Sequence, residues 1–447
     1  MTLPQSWAVS SIGALADKGQ YGWTTKAAQA GEVRFLRTTD ITKGRIDWSS
    51  VPFCAEVPAD LDKYLLEPGD IVISRAGSVG FSRLMEKIPC NTVFASYLIR
   101  FKPSSAVVPR YLAAYLNSDA YWKGIGAASV GIALANVNAK SLAALPVPLA
   151  PLAEQKRIAD KLDTVLTRVD AVNTRLARVA PLLKRFRQSV LAAATSGRLT
   201  EDWRGGAMDW TRVPAAEICE KVQSGGTPKA GFAEAGVPFL KVYNIVDQRV
   251  AFDYKPQFVS QAIHESELRK SQVLPNDVLM NIVGPPLGKV AVVPEDHSAW
   301  NINQAITLFR PSSKITSQWI YILLCEGAPI RDVLARTKGS VGQVNISLSQ
   351  CRAFEFQVPS VEEQTEIVRR VEALFAFADR LEARLAQAQT AATRLTPALL
   401  AKAFRGELVP QDPNDEPAAE LLRRLLAERA TAPKASAGRG RKAVVQS

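Results

Sequence analysis

A long, regularly spaced series of apolar residues occurs twice in this chain, and it restricts the fold more than any other feature. Residues 154–199 recur as residues 363–408, a constant shift of 209 that begins with the same Glu-Gln pair. The apolar residues of each copy alternate steps of four and three, which is the period of a coiled-coil seam. The seam residues are Ile158, Leu162, Val165, Val169, Val172 and Leu176, then Ile367, Val371, Leu374, Leu381 and Leu385, with Ala378 at the remaining step.

Such a seam predicts a helix whose apolar stripe must be buried against a second helix. From Ile158 to Val190 the first helix would be about 48 Å long, at roughly 1.5 Å per residue. The second copy has Ala378, Ala388 and Ala392 where the first has larger residues, which favours packing of one copy on the other. We therefore expect an antiparallel pair within one chain. A parallel pair between two chains is the alternative.

Local signals indicate how the two helices begin and where they are interrupted. Ser360 and Glu363 have the spacing of a capping box at the start of the second helix. A proline lies inside each seam, Pro181 in the first and Pro397 in the second. Because proline removes an intrahelical hydrogen bond, we expect a kink or break at both positions.

The regions that precede the two helices repeat each other more loosely. Pro68-Gly69-Asp70-Ile71 corresponds to Pro275-Asn276-Asp277-Val278, and Ser129-Val130-Gly131 corresponds to Ser340-Val341-Gly342, with shifts of 207 and 211 residues. This pattern predicts an α+β fold with two similar mixed α/β domains and a pseudo-twofold antiparallel coiled coil. The predicted segments are a first domain at 1–150, a helical spacer at 151–200, a second domain at 201–358, a second spacer at 359–410, and a short helix with a basic disordered tail at 411–447.

The charge of the chain restricts its partners more than its fold. The net charge is +12, which favours nucleic acid or an anionic membrane surface. There is no run of 18 apolar residues and no secretion signal at the N-terminus, so we expect a cytoplasmic protein without a membrane partner. The five cysteines and two histidines are scattered, which argues against a zinc site.

Motifs for catalysis are missing from the sequence. We find no phosphate-binding loop of the Gly-x-x-x-x-Gly-Lys-Ser/Thr type, no Asn/Asp-Pro-Pro-Tyr/Phe stretch for base methylation, and no acidic cluster for a Mg²⁺ nuclease centre. The glycine-rich stretch Ser224–Pro228 has the wrong spacing for a phosphate cradle and is interpreted as a turn that opens the second domain. We therefore expect a non-catalytic binding protein that leaves chemistry to other subunits.

Two similar modules joined by a rod suit a ligand with two sites. The major groove of DNA returns to the same face after about 34–36 Å, and a rod of roughly 48 Å can separate two modules by such a distance. Because the two domains differ in their polar loops, the two half-sites should differ in sequence.

Several motifs make the chain resemble the DNA-specificity subunit of type I restriction-modification systems. The resemblance rests on the order of two variable domains and two repeated helices, and it covers nearly the whole length. The supporting motifs are Pro-Gly-Asp-Ile-Val-Ile-Ser-Arg-x-Gly-Ser-Val-Gly at 68–80, Ser-Gly-Gly-Thr-Pro at 224–228, a proline-rich entry into Glu-Gln-x-x-Ile at 148–158 and 359–367, and Leu-Leu-Ala-Lys-Ala-Phe-Arg-Gly-Glu-Leu-Val-Pro at 399–410.

This resemblance implies that each domain recognises one half of a split double-stranded DNA target. The helices would set the spacing and would dock two methyltransferase subunits, which motor-nuclease subunits would then join. S-adenosylmethionine, ATP and Mg²⁺ would belong to those partners, and this chain would hold no cofactor and no metal. A coiled-coil scaffold for proteins, with only non-specific affinity for DNA, is the alternative function.

Candidate DNA contacts follow from residue type and loop position. Arg and Lys suit guanine edges or phosphates, and Asn and Gln suit adenine. The second domain has Asn281–Gly284 where the first has Ser74–Gly77, so these loops need not act alike. The candidates are Arg37, Thr38, Asp40, Arg75 and Ser78 in the first domain, and Lys241, Tyr243, Asn244, Asn281, Lys289, Asn303 and Gln304 in the second.

Overall fold

The computed structural model describes residues 3–128, 136–336 and 345–431, which form two compact units. Unit 1 comprises Met1–Leu176 and Ala388–Ser447, and unit 2 comprises Ala177–Gln387. Each unit therefore contains part of each long helix. The repeated Ser-Val-Gly segments at 129–131 and 340–342, and the predicted basic tail beyond residue 431, lie outside the described residues.

The globular part of unit 1 is a mixed α/β domain built from short elements. Its strands are β1 (Ala8–Ser11), β2 (Gln20–Tyr21), β3 (Ala27–Ala28), β4 (Arg34–Leu36), β5 (Phe53–Cys54), β6 (Ile71–Ser74), β7 (Ser82–Leu84), β8 (Thr92–Phe94), β9 (Leu98–Phe101) and β10 (Pro146–Leu149). Its helices are α1 (Ile12–Leu15), α2 (Thr38–Ile41), α3 (Leu61–Tyr64), α4 (Pro109–Tyr115), α5 (Asp119–Ala128) and α6 (Ala139–Ala143).

Two four-stranded sheets organise this domain. One has the order β2-β9-β6-β7 and is antiparallel throughout. The other has the order β3-β5-β4-β8, and in it β4 runs parallel to β8. The run Ile71-Val72-Ile73 is fully buried in β6, as its β-branched residues favour. The parallel pair places the carboxyl ends of β4 and β8 at one edge of the sheet.

The first long helix, α7 (Leu152–Thr195), is continuous through Pro181. Of the kink or break predicted at this residue, the break does not occur. Pro181 is exposed, so the carbonyl group that loses its intrahelical partner can be hydrated while the apolar faces stay packed.

The globular part of unit 2 repeats the first four-stranded sheet of unit 1 and three strands of the second. Its strands are β11 (Thr211–Pro214), β12 (Lys221–Ser224), β13 (Val237–Leu240), β14 (Ile245–Val246), β15 (Arg249–Val250), β16 (Phe258–Val259), β17 (Gln272–Val273), β18 (Val278–Asn281), β19 (Val290–Val292), β20 (Trp300–Ile302), β21 (Ile306–Arg310) and β22 (Glu355–Val358). Its helices are α8 (Glu201–Arg204), α9 (Ala215–Ile218), α10 (Gln261–Glu265), α11 (Ser317–Glu326), α12 (Ala328–Arg336) and α13 (Leu348–Arg352), with 3-10 turns at Arg198–Thr200, Val242–Asn244 and Arg269–Ser271.

The sheet orders of unit 2 are β12-β21-β18-β19 and β16-β13-β20-β17, with β13 parallel to β20. The predicted pair of similar mixed α/β domains is thus confirmed. Each domain also contains an ion pair that links neighbouring segments of its antiparallel sheet. Asp70 and Arg100 approach to 3.6 Å in unit 1, and Asp277 and Arg310 approach to 2.7 Å in unit 2.

The second long helix, α14 (Val361–Ala403), is also continuous through its proline, Pro397, so of the kink or break predicted there the break does not occur. Pro397 is exposed, and the same physical reason applies. The Ser360 hydroxyl accepts the Glu363 N–H at 3.2 Å, which is one of the two bonds of the predicted capping box. The Glu363 side chain bonds elsewhere, as described below.

The long helices pair antiparallel, and the pairing is visible within each unit. In unit 1, Leu162 near the start of α7 shares a core with Leu400 near the end of α14. In unit 2, Val190 near the end of α7 shares a core with Val371 near the start of α14. The intramolecular antiparallel coiled coil predicted from the seam is therefore confirmed.

Most predicted seam residues are buried or half-buried. Val172 is an exception, with 45% of its surface exposed, so its assignment to a buried seam is wrong. The ends of the helices also pack against globular cores, and that additional cover explains why Ile158 and Ile367 are fully buried. Val172 lies outside those cores, and helix-on-helix packing alone leaves part of it in solvent.

A last helix, α15 (Ala418–Thr431), packs on the N-terminal residues of unit 1, where the sequence predicts a short helix. Leu421 and Leu425 join the same core as Trp7. The Arg429 guanidinium donates to the carbonyls of Gly13 and Ala16 at 2.9 and 2.7 Å. Among the helices that the structure describes, none has the length and apolar character needed to cross a membrane.

Candidate nucleic-acid interface

Each domain is fixed to the first turn of a long helix by the same buried pair. In unit 1 the Trp7 indole N–H donates to Glu154 at 3.0 Å. In unit 2 the Trp210 indole N–H donates to Glu363 at 2.9 Å. Both carboxylates are nearly fully buried. These bonds set the direction in which each domain leaves its helix.

The glutamine that follows each of these glutamates makes a second repeated anchor. The Gln155 carboxamide accepts the Val108 N–H at 2.8 Å and donates to the carbonyls of Ala106 and Ala150 at 3.2 and 2.9 Å. Gln364 repeats all three bonds in unit 2, with Thr316, Lys314 and Pro359 as partners at 2.9, 2.9 and 3.0 Å. The repeated Glu-Gln pair of the sequence is therefore the joint between domain and helix.

One edge of the unit 1 domain brings several loops together. The Ala95 N–H donates to the Leu36 carbonyl at 2.9 Å, which places the segment after β8 beside Arg37. The Arg75 N–H donates to the Tyr97 carbonyl, also at 2.9 Å, which places the segment after β6 beside the same loop. Two predicted contacts that are far apart in sequence, Arg37 and Arg75, thus belong to one edge.

A glycine allows a further loop to pass close to this edge. A Cβ atom at Gly22 would lie 2.2 Å from the Phe94 carbonyl oxygen, so a larger residue cannot pack here. Gly225 has the same environment in unit 2, where a Cβ atom would lie 2.1 Å from the Ile302 carbonyl oxygen. The predicted turn at 224–228 is therefore the loop that follows β12 and passes along the equivalent edge of unit 2.

Arg37 is held in place by Asp40. The guanidinium donates to the carboxylate at 2.9 and 3.1 Å, and the Arg37 backbone N–H donates to it at 2.8 Å. The hydrogen bond to Asp40 raises the pKa of Arg37. The Asp40 side chain is only 8% exposed, whereas that of Arg37 is 39% exposed. Asp40 therefore positions a cation that can reach a ligand.

Other polar atoms at this edge are buried without a protein partner. The Arg75 guanidinium lies 5.0 Å from the centre of the Tyr21 ring, and its Nε is buried and unbonded within the described part of the chain. The Thr38 hydroxyl and the Asn136 side-chain carbonyl are also buried without a hydrogen-bond partner among the described residues. Buried polar groups are rarely left unpaired in proteins, so a cluster of them marks a place where a polar ligand can bind.

Ser78 and Tyr97 complete the edge in different ways. Ser78 is exposed, and its backbone carbonyl accepts the Ser74 hydroxyl, which closes the turn after β6. Tyr97 has 60% of its surface exposed although it is a large aromatic residue. The edge therefore presents cations, hydroxyls and an aromatic ring together.

The equivalent edge of unit 2 has a different chemistry. The Asn303 N–H donates to the Leu240 carbonyl at 3.0 Å, which places Asn303 and Gln304 beside Lys241. Ile282, whose N–H donates to the Ala305 carbonyl at 2.8 Å, occupies the place that Arg75 has in unit 1.

The side chains of this second edge are mainly amides. Gln304 is exposed and accepts the Thr227 hydroxyl. The side-chain carbonyl of Asn303 is buried and unbonded among the described residues. The Lys241 ammonium lies 4.4 Å from the centre of the Phe232 ring. An amide-rich edge thus replaces the arginine-rich edge of unit 1.

Two asparagines predicted to contact DNA instead hold their loops. Asn244 is fully buried; its carbonyl accepts the Lys241 N–H at 2.9 Å and its amide donates to the Tyr254 carbonyl at 2.8 Å. Asn281 is also fully buried and accepts the Lys289 N–H at 2.7 Å. Their donors and acceptors are already used by backbone groups, so a direct base contact would break the loops.

Tyr243 and Lys289 lie on the loops that these asparagines hold. Tyr243 is half-buried, and its hydroxyl donates weakly to the Lys255 carbonyl at 3.4 Å. Lys289 is half-buried in the turn after β18. Both side chains remain predicted contacts at the margin of the edge.

The aromatic residues of these edges were missed at the sequence level. Tyr21 and Tyr97 in unit 1 and Phe232 in unit 2 are each more than 40% exposed. The signal in the sequence is their position, since each lies in a loop or at the end of a strand, beside a glycine or a polar residue. Within the described ranges, no group of three His, Cys, Asp or Glu residues could hold a metal ion.

The fold and these edges define a recognition protein with two domains carried on antiparallel helices. Residues 4–180 and 208–389 match the family model described as the type I restriction modification DNA specificity domain. The chain belongs to this family, as the resemblance in its sequence implied, and it is a non-catalytic specificity subunit with a role in DNA sequence recognition.

Individual relatives support the same assignment. The type I restriction enzyme StySPI specificity subunit of Salmonella potsdam is 30% identical over 96% of both chains. The EcoKI specificity subunit of Escherichia coli strain K12 is 29% identical over 96% of both chains.

Solved structures show the fold. The HsdS subunit from Thermoanaerobacter tengcongensis has a TM-score of 0.62 at 18% identity and covers 91% of this chain and 99% of its own. A chain from a study of assembly and conformational transition of the type I R-M system has a TM-score of 0.69 at 19% identity, covering 91% of this chain and 100% of its own.

Proposed function

We propose that each unit reads one half of a bipartite, asymmetric double-stranded DNA target, and that the paired helices set the distance between the halves. The supporting observation is that buried polar atoms without a partner among the described residues lie at equivalent domain edges, Arg75 Nε with two neighbours in unit 1 and the Asn303 side-chain carbonyl in unit 2. A base edge offers the donors and acceptors that such atoms lack.

The two edges should prefer different bases. Arg37 and Arg75 give unit 1 two guanidinium groups, which suit the guanine O6 and N7 atoms or phosphates. Asn303 and Gln304 give unit 2 two carboxamides, which suit the adenine N6 and N7 atoms. An asymmetric target follows from this difference.

We further propose that the chain directs catalytic subunits to this target. Two methyltransferase subunits would bind it, and restriction subunits with motor and nuclease activity would join them. S-adenosylmethionine, ATP and Mg²⁺ would then be bound by those subunits, and the complex would act on DNA in the cytoplasm. Relatives named as specificity subunits of type I restriction enzymes support this arrangement.

The test is to express the full chain with the methyltransferase subunit of its system in a host without type I methylation. Single-molecule sequencing would then map methylated bases across the host genome. The proposal expects one motif with two dissimilar halves and a fixed spacer. Methylation without sequence preference, despite a stable complex, would overturn the proposal and favour the protein scaffold.

A further inference from the structure

A cleft between the domain and the start of α14 occurs in unit 2. Its volume is about 430 Å³. The walls are the β14–β15 hairpin, the end of β19, helix α11 and the first turns of α14. The floor is largely apolar, and its main side chains are Val250, Val292, Tyr321, Ile322 and Phe375.

Unit 1 has a cleft in the equivalent place. Its volume is about 590 Å³, and its walls are the turn after α2, strand β7, helix α4 and the first turns of α7. Leu84, Ala114 and Leu166 line its floor at the repeat positions of Val292, Ile322 and Phe375. The two clefts are therefore copies of one feature.

Both clefts share one arginine and one carboxylate at repeat positions on their rims, and the unit 1 cleft has further charged residues in its lining: Arg83, Glu86, Lys87 and Arg110. Arg45 in unit 1 and Arg249 in unit 2 are exposed at repeat positions on the domain side. Asp163 and Glu372 are exposed at repeat positions on the helix side. Asp163 also accepts a hydrogen bond from Arg110. An apolar floor between an arginine and a carboxylate is thus present twice.

The likeness of the clefts contrasts with the unlike edges of the same domains. Arg75 of one edge is replaced by Ile282 in the other, whereas both clefts keep one arginine, one carboxylate and an apolar floor at repeat positions. Different edges suit different half-sites. Similar clefts suit two copies of one partner.

From these observations we propose that each cleft docks one methyltransferase subunit through a short helix. This helix presents an apolar side chain to the floor and a carboxylate to Arg45 or Arg249. Helices commonly bind grooves in this way, with residues three or four apart facing the same side. The inference rests on the proposed function, because it places the two partner copies named there.

The experiment mixes full-length protein with the purified methyltransferase subunit of its system and counts bound copies by native mass spectrometry. Wild type should bind two copies. Arg249→Glu should weaken one copy roughly tenfold, Arg45→Glu should weaken the other, and the double variant should weaken both, since a reversed rim charge repels the partner carboxylate.

Lys43→Glu and Arg269→Glu are matched controls, because both residues are exposed in the same units but do not line the clefts. They should bind two copies with unchanged affinity. Unchanged binding by the cleft variants, or equal weakening by the controls, would overturn the cleft assignment alone. Wild type that binds no methyltransferase subunit would instead overturn the proposed function, and the docking site with it.

Discussion

Trp210 donates its indole N–H to Glu363 at 2.9 Å, and this bond joins the second domain to the first turn of its long helix. Glu363 also accepts hydrogen bonds from Thr200 and Arg204 at 2.7 and 2.8 Å. The equivalent Glu154 has Trp7 as a partner but no guanidinium within hydrogen-bond distance among its described contacts. One joint therefore contains a charged pair where its copy contains neutral donors.

This difference predicts a pH-dependent stability at the Glu363 joint. Burial alone would raise the pKa of Glu363, but hydrogen bonds from Arg204, Thr200 and Trp210 outweigh burial and lower it below the ordinary value of 4.5. A carboxylate with a lowered pKa stabilises the fold above its unfolded pKa, and this stability is lost as the pH falls through the folded pKa.

Glu363→Gln should therefore reduce the free energy of unfolding at neutral pH by about 3 kcal/mol, because Arg204 loses its charged partner. The deficit should shrink as the pH falls below about 4.5, where wild type loses the same advantage. Denaturant unfolding of both proteins at acidic and neutral pH measures this. A deficit that stays constant with pH would contradict the assignment.

Glu154→Gln is the matched comparison in the other unit. Burial raises the pKa of Glu154, and hydrogen bonds from Trp7 and Gln411 only partly offset it. A raised carboxyl pKa gives stability that is present at low pH and is lost as the pH rises through the folded pKa. The two variants should therefore show opposite pH trends relative to wild type. Parallel trends would mean that the two joints are electrostatically alike.

The glutamine anchors predict large losses of stability without loss of charge. Gln364→Leu would leave the Thr316 N–H and the carbonyls of Lys314 and Pro359 without their partner. Unpaired buried groups cost about 1–3 kcal/mol each, so we expect a loss of at least about 2 kcal/mol in denaturant unfolding. Gln350→Leu is a control that should lose less, because this half-buried glutamine caps a helix beside the exposed Ser347. Equal losses would show that the buried anchor has no special role.

The helices could be predicted from the sequence because their seam repeats over many turns, and a period of 3.5 residues has few other interpretations. The sequence pattern could not show whether the helices continue through Pro181 and Pro397. The free-energy cost of a proline inside a helix depends on whether the carbonyl that loses its partner is hydrated, and tertiary packing decides this. Val172 fails for a related reason, since the seam pattern does not show where the globular cores end.

The candidate site could be predicted only in part. Arg37, Arg75 and Gln304 lie at the domain edges and stay predicted contacts, because polar residues in loops suit DNA. Asn244 and Asn281 have the same residue type, but their side chains cap loops, and sequence alone does not distinguish a cap from a contact. The exposed Tyr97 was missed because an aromatic residue more often belongs to a core.

Asn281 should affect stability rather than specificity. Asn281→Ala would remove the acceptor of the Lys289 N–H and destabilise the loop after β18. We expect it to lower the free energy of unfolding by about 1–3 kcal/mol. In a reconstituted complex at low temperature, its preferred DNA sequence should match that of wild type. Thermal unfolding and binding to a library of DNA duplexes test the two parts. A changed base preference with unchanged stability would restore Asn281 as a direct contact.

Unit 1 and unit 2 should read separate half-sites, and maps of methylated sites in the host genome can show this. Complexes with wild type, Arg75→Ala and Gln304→Ala would each be sequenced for methylated bases in the same host. Arg75→Ala should relax one half of the motif, Gln304→Ala should relax the other, and each should lose about 1–3 kcal/mol of discrimination at its own bases. If both variants relaxed the same half, or if either relaxed both halves together, the two units would not be independent readers of the target.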